Sequence, residues 1–242
     1  MSFGRAFGAL AVAGLSALLL LALFFAPVNT SAVSDVQNRL AAQMSRHSGQ
    51  RVPFDQVPGS AQIRASTVAV AQRTFVGQAH GHGVVWDAHT ILTNRHVVDA
   101  MLSAGVSVQT PDGRWLKVDR VLFFDRGPDV AFLVFDTPHG LPVPPRAEPV
   151  PEGADLYYYI TRDDEMYTGT RGPANVWALG LRVTVMNMHA FPGMSGGPVY
   201  TADGAFVGLM TVGSGAEGPE SGYTSQADIE RVEAILRRQG HR

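Results

Sequence analysis

The chain has 242 residues, a formal net charge of −2 at pH 7, 45% hydrophobic residues and 17% charged residues. This is the composition of an ordinary globular protein, and the near-zero charge gives no electrostatic footprint for nucleic acid. The chain contains no cysteine, which excludes disulfides, thiolate metal sites and a cysteine nucleophile.

The N-terminus carries a long apolar run, residues 6–28, which follows Arg5 and has no charged residue. At about 1.5 Å per residue in a helix, the run can cross a hydrocarbon core of roughly 30 Å. Because the positive charge precedes the run, we expect the rest of the chain on the periplasmic or extracellular side. Residues 1–28 are therefore predicted to be a transmembrane anchor. The alternative is a signal peptide cleaved near residues 29–32, which would make the protein secreted.

Residues 29–62 are predicted to be a linker or stalk that contains one short helix. Apolar residues recur there at helical spacing, as an amphipathic helix requires. These residues are Val33, Val36, Leu40 and Met44. Proline and glycine residues punctuate the remainder of the segment, which is typical of a spacer.

Beyond the linker, short β-rich runs alternate with Gly, Asp and Pro turns, which predicts an all-β fold. Residues 138–153 contain six prolines and cannot form a central strand. We expect them to connect two β units, at residues 63–137 and 154–227. A helix is predicted over residues 228–239, with Asp228 as its cap. Its apolar face is formed by Ile229, Val232, Ile235 and Leu236.

The stretch "FPGMSGGPVY", residues 191–200, places Ser195 in a glycine-rich turn. Residues 193–197 satisfy the pattern G-x-S-x-G, the nucleophile elbow of α/β-hydrolases, which would make the protein an esterase. That design needs a helix directly after the serine and a catalytic histidine farther along the chain. Here a β-like run follows, and His241 in the basic tail is the sole histidine downstream. The sequence therefore argues against the elbow.

A second design takes histidine, aspartate and serine in that order along the chain. His96 follows an apolar β-like run, and Asp129 opens the run "VAFLVF". A serine hydroxyl needs an adjacent base to become a nucleophile, so His96 would take the proton of Ser195. Asp129 would fix the tautomer of the imidazole ring. Gly193 permits a turn in which the N–H groups of Gly193 and Ser195 face the developing oxyanion, where one donor contributes about 3 to 4 kcal/mol.

Three segments, in this order, resemble one family. "GHGVVWDAHTILTNRHVV", "PDVAFLVF" and "PGMSGGPVY" with "GAFVGLMTVGSG" are similar to blocks of the trypsin-like (chymotrypsin-fold) serine endopeptidases, most of all the compact, disulfide-free bacterial type. The likeness covers about residues 63–238. It implies two six-stranded antiparallel β-barrels with the site in the cleft between them. It also implies an extended polypeptide substrate, cut through an acyl-enzyme on Ser195.

The resemblance also indicates residues that bind substrate. By the family's pattern, Thr211, Val212 and Gly213 lie beside the substrate backbone and can pair with it as an added strand. His189 falls in the region that forms the specificity pocket of the family, where an imidazole can receive an acidic or polar side chain. The alternatives are a loop histidine without this role and a mainly apolar pocket formed by Met188, Phe191 and Met210.

One position departs from the family's pattern. The residue before the nucleophile is usually Asp or Asn, and here it is Met194. In family members activated from a zymogen that Asp receives a newly cut N-terminus, so we do not expect activation by that route. Met194 also favours an alternative function, a catalytically weak or inactive module that keeps the peptidase fold and binds peptides.

The sequence implies no metal ion and no organic cofactor. His80, His82 and His89 crowd the segment before His96, but the cysteines and the H-E-x-x-H helix of common zinc sites are missing from the sequence. We expect ordinary strand or surface histidines there. The expected partners are a polypeptide substrate and, through residues 1–28, a membrane, with no nucleic acid. Nothing in the sequence predicts an oligomeric state.

Overall fold

The structure is a computed structural model. It describes residues 50–74, 77–99, 101, 105–124, 128–178, 181–188, 190, 193–213 and 220–238. Within these ranges it describes only the backbone of residues 72–74, 77–80, 173–178, 181, 212–213 and 220. The predicted anchor and the helix predicted between Val33 and Met44 lie outside the described residues. No helix in the described ranges combines the length and the apolar character that crossing a bilayer requires.

The described chain begins with a short segment that packs against the second β unit. It comprises strand β1 (Gln50–Val52), a 3-10 turn (Phe54–Gln56) and helix α1 (Ser60–Ser66). β1 pairs antiparallel with a strand of the second unit, and the side chains of Val57 and Ile63 are buried. Residues from 50 onward therefore pack as part of the β structure, upstream of the predicted start of the peptidase domain at residue 63.

Seven antiparallel strands form the first sheet. They are β2 (Thr67–Thr74), β3 (Gly77–Asp87), β4 (Thr90–Thr93), β5 (Ser107–Gln109), β6 (Trp115–Lys117), β7 (Arg120–Phe123) and β8 (Ala131–Val134). They lie side by side in the order β6, β5, β2, β3, β4, β8, β7. A short helix, α2 (Arg95–Asp99), follows β4.

The first sheet is a curled half-barrel, so the prediction of a closed six-stranded barrel is wrong for this unit. Within the described residues its edge strands, β6 and β7, do not pair with each other. The two residues that connect them, Val118 and Asp119, bond to neighbouring segments. Val118 donates to Val106, which precedes β5, and Asp119 donates to Val134 of β8. These bonds extend the pairing of β6 with β5 and of β7 with β8.

The second unit is a closed barrel of six antiparallel strands, which confirms the prediction for this half. The strands are β9 (Asp155–Ile160), β10 (Glu165–Ala178), β11 (Leu181–Asn187), β12 (Pro198–Tyr200), β13 (Phe206–Gly213) and β14 (Glu220–Ser225). The ring runs β9, β10, β11, β14, β13, β12 and closes through the pairing of β12 with β9. β1 adds a seventh strand at β10.

A C-terminal helix, α3 (Gln226–Arg238), confirms the predicted element with a shifted start. The hydroxyl of Ser225 accepts the N–H of Asp228 at 3.3 Å and donates to its carboxylate at 2.7 Å. The cap is therefore Ser225, and Asp228, predicted as the cap, instead completes a reciprocal pair inside the first turn. The buried face is formed by Ile229, Val232 and Leu236. Ile235 is 47% exposed, because it lies about 100° from Leu236 around the helix.

One apolar cluster joins the first sheet, the second barrel and α3. Trp86 of β3 packs edge-to-face on Phe132 at 6.4 Å and on Phe206 at 6.1 Å between ring centroids. Its indole N–H donates to Glu233 of α3 at 2.9 Å. The guanidinium of Arg146, from the proline-rich connector, lies 3.6 Å from the centroid of the Trp86 ring. This packing holds together the two units that carry the predicted site.

Candidate active site

His96 and Asp129 are brought together by two paired strands of the first sheet. β4 ends at Thr93 and β8 begins at Ala131, and these two residues are direct partners in the antiparallel ladder. His96 lies just after β4, on α2, and Asp129 lies just before β8. Both therefore come from the same end of the sheet, which we call the His–Asp edge.

The ring of His96 is hydrogen-bonded to the carboxylate of Asp129. Nδ1 of His96 lies 2.6 Å from Oδ2 of Asp129, and the backbone N–H of His96 donates to Oδ1 at 2.9 Å. Asp129 is 3% exposed, whereas the side chain of His96 is 46% exposed. Because an ionised carboxylate can only accept, the proton of the neutral ring lies on Nδ1. Nε2 then has the lone pair that a general base requires.

Ser195 lies in a tight turn that leads directly into β12. We call residues 193–197 the serine turn. Gly193 has φ +102° and Gly196 has φ +77°, which is backbone that favours glycine. A Cβ on Gly196 would lie 2.2 Å from the hydroxyl of Thr93, so this glycine lets the turn lie against the end of β4. A strand follows Ser195 in place of a helix, and the sheets are antiparallel, which contradicts the α/β-hydrolase alternative.

The backbone of Ser195 is tied to the first sheet. The N–H of His82 in β3 donates to the carbonyl of Ser195 at 2.9 Å. Within the part of the chain that the structure describes, no hydrogen bond joins the hydroxyl of Ser195 to the ring of His96. Such bonds are often long in ligand-free enzymes and tighten in the substrate complex. The structure thus pairs His96 with Asp129 directly, and it fixes Ser195 through its backbone.

Asn94 links the segments of all three residues and was not among the predicted site residues. Its side chain is fully buried. Nδ2 donates to the backbone carbonyl of Asp129 at 2.8 Å, and Oδ1 accepts the N–H of Gly196 at 2.7 Å. The available signal was a polar side chain at the end of the apolar run before His96, where burial demands hydrogen-bond partners.

The side chain of Met194 is buried among apolar residues of the second barrel. It is 1% exposed and belongs to one cluster with Tyr158, Met186 and Met210. An unpaired carboxylate in that place would lose its hydration at a large cost in free energy. The environment therefore explains why the chain departs from the family's usual Asp at this position.

The predicted substrate-binding residues of β13 lie at one edge of the second barrel. The hydroxyl of Thr211 donates to the carbonyl of Leu209 at 2.8 Å, and its side chain is buried. The backbone of Val212 and Gly213 pairs with β14 on one side. On the other side, no strand among those described pairs with residues 211–213. The role of these residues in binding stays a prediction.

The remaining predicted histidines fall in different places. His189 lies outside the described residues, as does the side chain of His80, so the pocket role of His189 stays a prediction. His89 is exposed, and its Nδ1 lies 3.0 Å from the carbonyl of Phe135. His82 is 5% exposed and contacts the serine turn. In the described ranges, no group of three or more His, Asp or Glu side chains is placed to hold a metal ion.

Residues 81–209 match a family model described as the trypsin-like peptidase domain. The match covers more than half of the chain. The chain has no significant match among curated proteins.

Solved structures of bacterial proteases are similar to this structure. The active form of the Rv3671c protease from M. tuberculosis has a TM-score of 0.62 at 20% identity, covering 77% of this chain and 87% of that one. The serine endoprotease from Yersinia pestis has a TM-score of 0.62 at 20% identity, covering 78% and 68%. The HtrA-type protease AlgW has a TM-score of 0.63 at 18% identity, covering 76% and 64%.

At these identities, the similar structures support the fold. The family model carries the assignment further, because it spans the segments of His96, Asp129 and Ser195. The chain therefore belongs to the trypsin-like peptidase family and is a serine endopeptidase of that fold.

Proposed function

We propose that the protein hydrolyses peptide bonds of polypeptides through an acyl-enzyme on Ser195. His96 is the general base and Asp129 is the carboxylate that orients it. The observation that supports these roles is the 2.6 Å contact between Nδ1 of His96 and the nearly buried carboxylate of Asp129. This contact directs the basic Nε2 away from Asp129, which is the arrangement that an activated serine requires.

The reaction proceeds in two halves. In the first, Nε2 of His96 takes the proton of Ser195 as its oxygen attacks the carbonyl carbon of the substrate. Asp129 stays ionised and stabilises the imidazolium. His96 then gives the proton to the leaving amine, the C–N bond breaks, and an ester to Ser195 remains. In the second half, water replaces the amine, and the same proton transfers release the acid.

The negative charge of the tetrahedral intermediate is stabilised by the N–H groups of Gly193 and Ser195. Two features of the serine turn support this role. The left-handed backbone at Gly193 turns the chain sharply, and no atom of the described residues lies within 4 Å of the place where a Cβ would stand at that residue. Donors fixed before the reaction need no reorganisation when the charge develops.

The substrate binds as an extended strand beside residues 211–213 of β13. Among the described strands none pairs with this edge, which supports this mode, because an open strand edge can bond to a peptide backbone. His189 would line the pocket for the substrate side chain. A peptide-library cleavage profile of wild type and His189→Ala tests this role, and an unchanged preference would contradict it.

A second candidate function is a peptide-binding module without catalysis. Met194 before the serine favours it, as does the Ser195 hydroxyl, which makes no hydrogen bond to His96 in the described structure. A fluorophosphonate probe separates the two functions, because it reacts only with an activated serine. We expect the full chain to be labelled and Ser195→Ala to be inert, while the control Ser60→Ala is labelled like wild type. An inert wild type supports the binding module.

We also propose that the protein is exported and anchored through residues 6–28. The uncharged run after Arg5 supports this proposal. N-terminal sequencing of the membrane-bound protein should find the anchor retained. A mature protein that begins shortly after residue 32 supports the cleaved signal peptide. A second experiment adds protease to cells whose outer envelope is permeabilised and whose cytoplasmic membrane is intact. A peptidase domain that stays undigested there contradicts export.

A further inference from the structure

Three consecutive carbonyls of the serine turn are each held by a hydrogen bond from another segment. The carbonyl of Gly193 contacts the ring of His82 at 2.7 Å, and the carbonyl of Met194 accepts the hydroxyl of Tyr158 at 2.6 Å. The carbonyl of Ser195 accepts the backbone N–H of His82 at 2.9 Å. Two of the three donors are side chains, and the proposed function assigns no role to either of them.

Tyr158 determines the direction of the Ser195 N–H. Its side chain is fully buried in the second barrel, and burial raises its pKa well above the ordinary value, so the hydroxyl stays protonated and donates. The described chain contains no cis peptide bond. In a trans peptide the C=O and the following N–H point in opposite directions. Because the Met194 carbonyl points at Tyr158 inside the barrel, the Ser195 N–H points away from the barrel interior, as an oxyanion donor must.

The ring of His82 holds the neighbouring peptide. The backbone N–H of Thr161 donates to Nε2 of His82 at 3.1 Å. Since a backbone N–H can only donate, Nε2 is the acceptor, and Nδ1 carries the proton that it donates to the Gly193 carbonyl. The neutral ring therefore connects the turn after β9 to the serine turn, and it fixes the plane of the peptide between Gly193 and Met194.

The two side chains also support each other and the turn. The rings of His82 and Tyr158 pack edge-to-face with centroids 5.9 Å apart. A Cβ on Gly197 would lie 1.9 Å from the hydroxyl oxygen of Tyr158, so the tyrosine lies directly against the serine turn. The contacts therefore form one unit that holds two successive peptide planes.

We propose that His82 and Tyr158 are positioning residues of the peptidase reaction, which fix the serine turn with its oxyanion donors in the direction that the transition state requires. This inference rests on the proposed function. It also accounts for Met194, because the turn is held here by an uncharged imidazole, a phenol and an apolar side chain. No ion pair at residue 194 is needed to order it.

The first test replaces Tyr158 with Phe in the full chain, which removes the hydroxyl and keeps the ring. With p-nitrophenyl acetate as substrate, we expect kcat to fall about tenfold or more and KM to change less than about twofold, because oxyanion donors act on the transition state. Tyr159→Phe is the matched control. It removes a hydroxyl from the adjacent residue that donates to Asp164 at 2.7 Å, and it should keep the wild-type kcat.

The second test compares His82→Ala with His82→Asn. The amide nitrogen of Asn lies as many bonds from the backbone as Nδ1 does, so it can still donate to the Gly193 carbonyl. We expect His82→Ala to lower kcat and the rate of fluorophosphonate labelling, and His82→Asn to restore a large part of both. His139→Ala is the control, because His139 is also a buried ring that accepts one backbone N–H and contacts a backbone carbonyl, at 3.2 and 2.8 Å. It should lower stability without lowering kcat.

The outcomes separate this inference from the proposed function. If wild type is not labelled by the fluorophosphonate, the proposed function fails. If wild type is labelled and both Tyr158→Phe and His82→Ala match their controls in kcat, the proposed function stands and the positioning role is overturned. Thermal unfolding of each variant identifies those that fold, and should one of Tyr158→Phe and His82→Ala not fold, the kcat of the other against its own control decides.

Discussion

The His–Asp edge of the first sheet and the serine turn of the second barrel hold their groups in different ways. At the edge, His96 and Asp129 bind each other directly, and their segments are neighbours in one ladder. In the serine turn, the backbone on either side of the Ser195 hydroxyl is held. The carbonyls of Gly193 and Met194 and the N–H of Gly196 are bound by side chains that come from both units.

This difference shows which contacts each half of the site depends on. The edge depends on a pairing of two strands, which survives as long as the sheet folds. The serine turn depends on hydrogen bonds that cross the seam between the sheet and the barrel. Changes at the edge should therefore affect the chemistry alone, whereas changes at the seam should affect both the chemistry and the stability of the fold.

The largest effect is expected at the edge itself, from Asp129→Asn. The amide can still accept the N–H of His96, but it favours the wrong tautomer of the ring, which costs about 10⁴ in kcat in triads of this kind. Hydrolysis of p-nitrophenyl acetate at constant pH measures the loss. Asp136→Asn, which alters an exposed carboxylate, is the control and should change little. If Asp129→Asn keeps more than about a tenth of the wild-type kcat, the role assigned to Asp129 is contradicted.

The next effect is expected at the seam, from Asn94→Ala. The substitution removes the donor to the Asp129 carbonyl and one of two acceptors of the Gly196 N–H, which also contacts Met210 at 3.1 Å. Leaving such buried groups without partners should lower the free energy of unfolding by about 2 kcal/mol. We expect kcat to fall as well, and urea unfolding with a rate measurement tests both. The control Asn187→Ala, at an exposed position, should lower neither the stability nor kcat. If Asn94→Ala loses stability but keeps the wild-type kcat, Asn94 has no role in the active site.

A smaller, pH-dependent effect is expected at the start of the connector, where the ring of His139 contacts the Asp87 carbonyl of the first sheet at 2.8 Å. His139 is 6% exposed, and the loss of hydration lowers its pKa below the ordinary 6.5. His139 then binds a proton more readily in the unfolded chain than in the folded one. Its contribution to the free energy of unfolding is therefore present above about pH 6.5 and is lost as the pH falls below that value. Urea unfolding between about pH 5 and pH 7.5 measures this slope, which should be shallower in His139→Ala. An equal slope in both proteins would contradict the prediction.

The smallest effect is expected on the outside of the second barrel, from Arg64→Ala. Its guanidinium lies 2.6 Å from Asp164 and 4.3 Å from the centroid of the Phe54 ring, but both charged side chains are about half exposed. An exposed pair of this kind contributes less than about 1 kcal/mol. Thermal unfolding at low and high salt measures it, and the kcat should equal that of wild type. A loss of activity here would show that the serine turn depends on the surface of the barrel.

Much of the candidate site was predictable because its chemistry restricts the residue types. A serine between glycines, a histidine after an apolar strand and an aspartate before another define one order of motifs, and the structure pairs His96 with Asp129. The second barrel was also predictable, since its strands are separated by clear turn signals. The curl of the first sheet was not, because no local pattern in the sequence specifies whether the two edge strands, β6 and β7, pair with each other.

By itself, the sequence determined the reactive groups, their order along the chain and the predominance of β-strands, because these follow from residue types and their spacing. The tertiary structure alone decided how the serine turn is held. His82 and Gly193 are separated by 111 positions, and Asn94 and Gly196 by 102. Such hydrogen bonds depend on how the sheet and the barrel pack, since only packing brings a buried donor within about 3 Å of its acceptor.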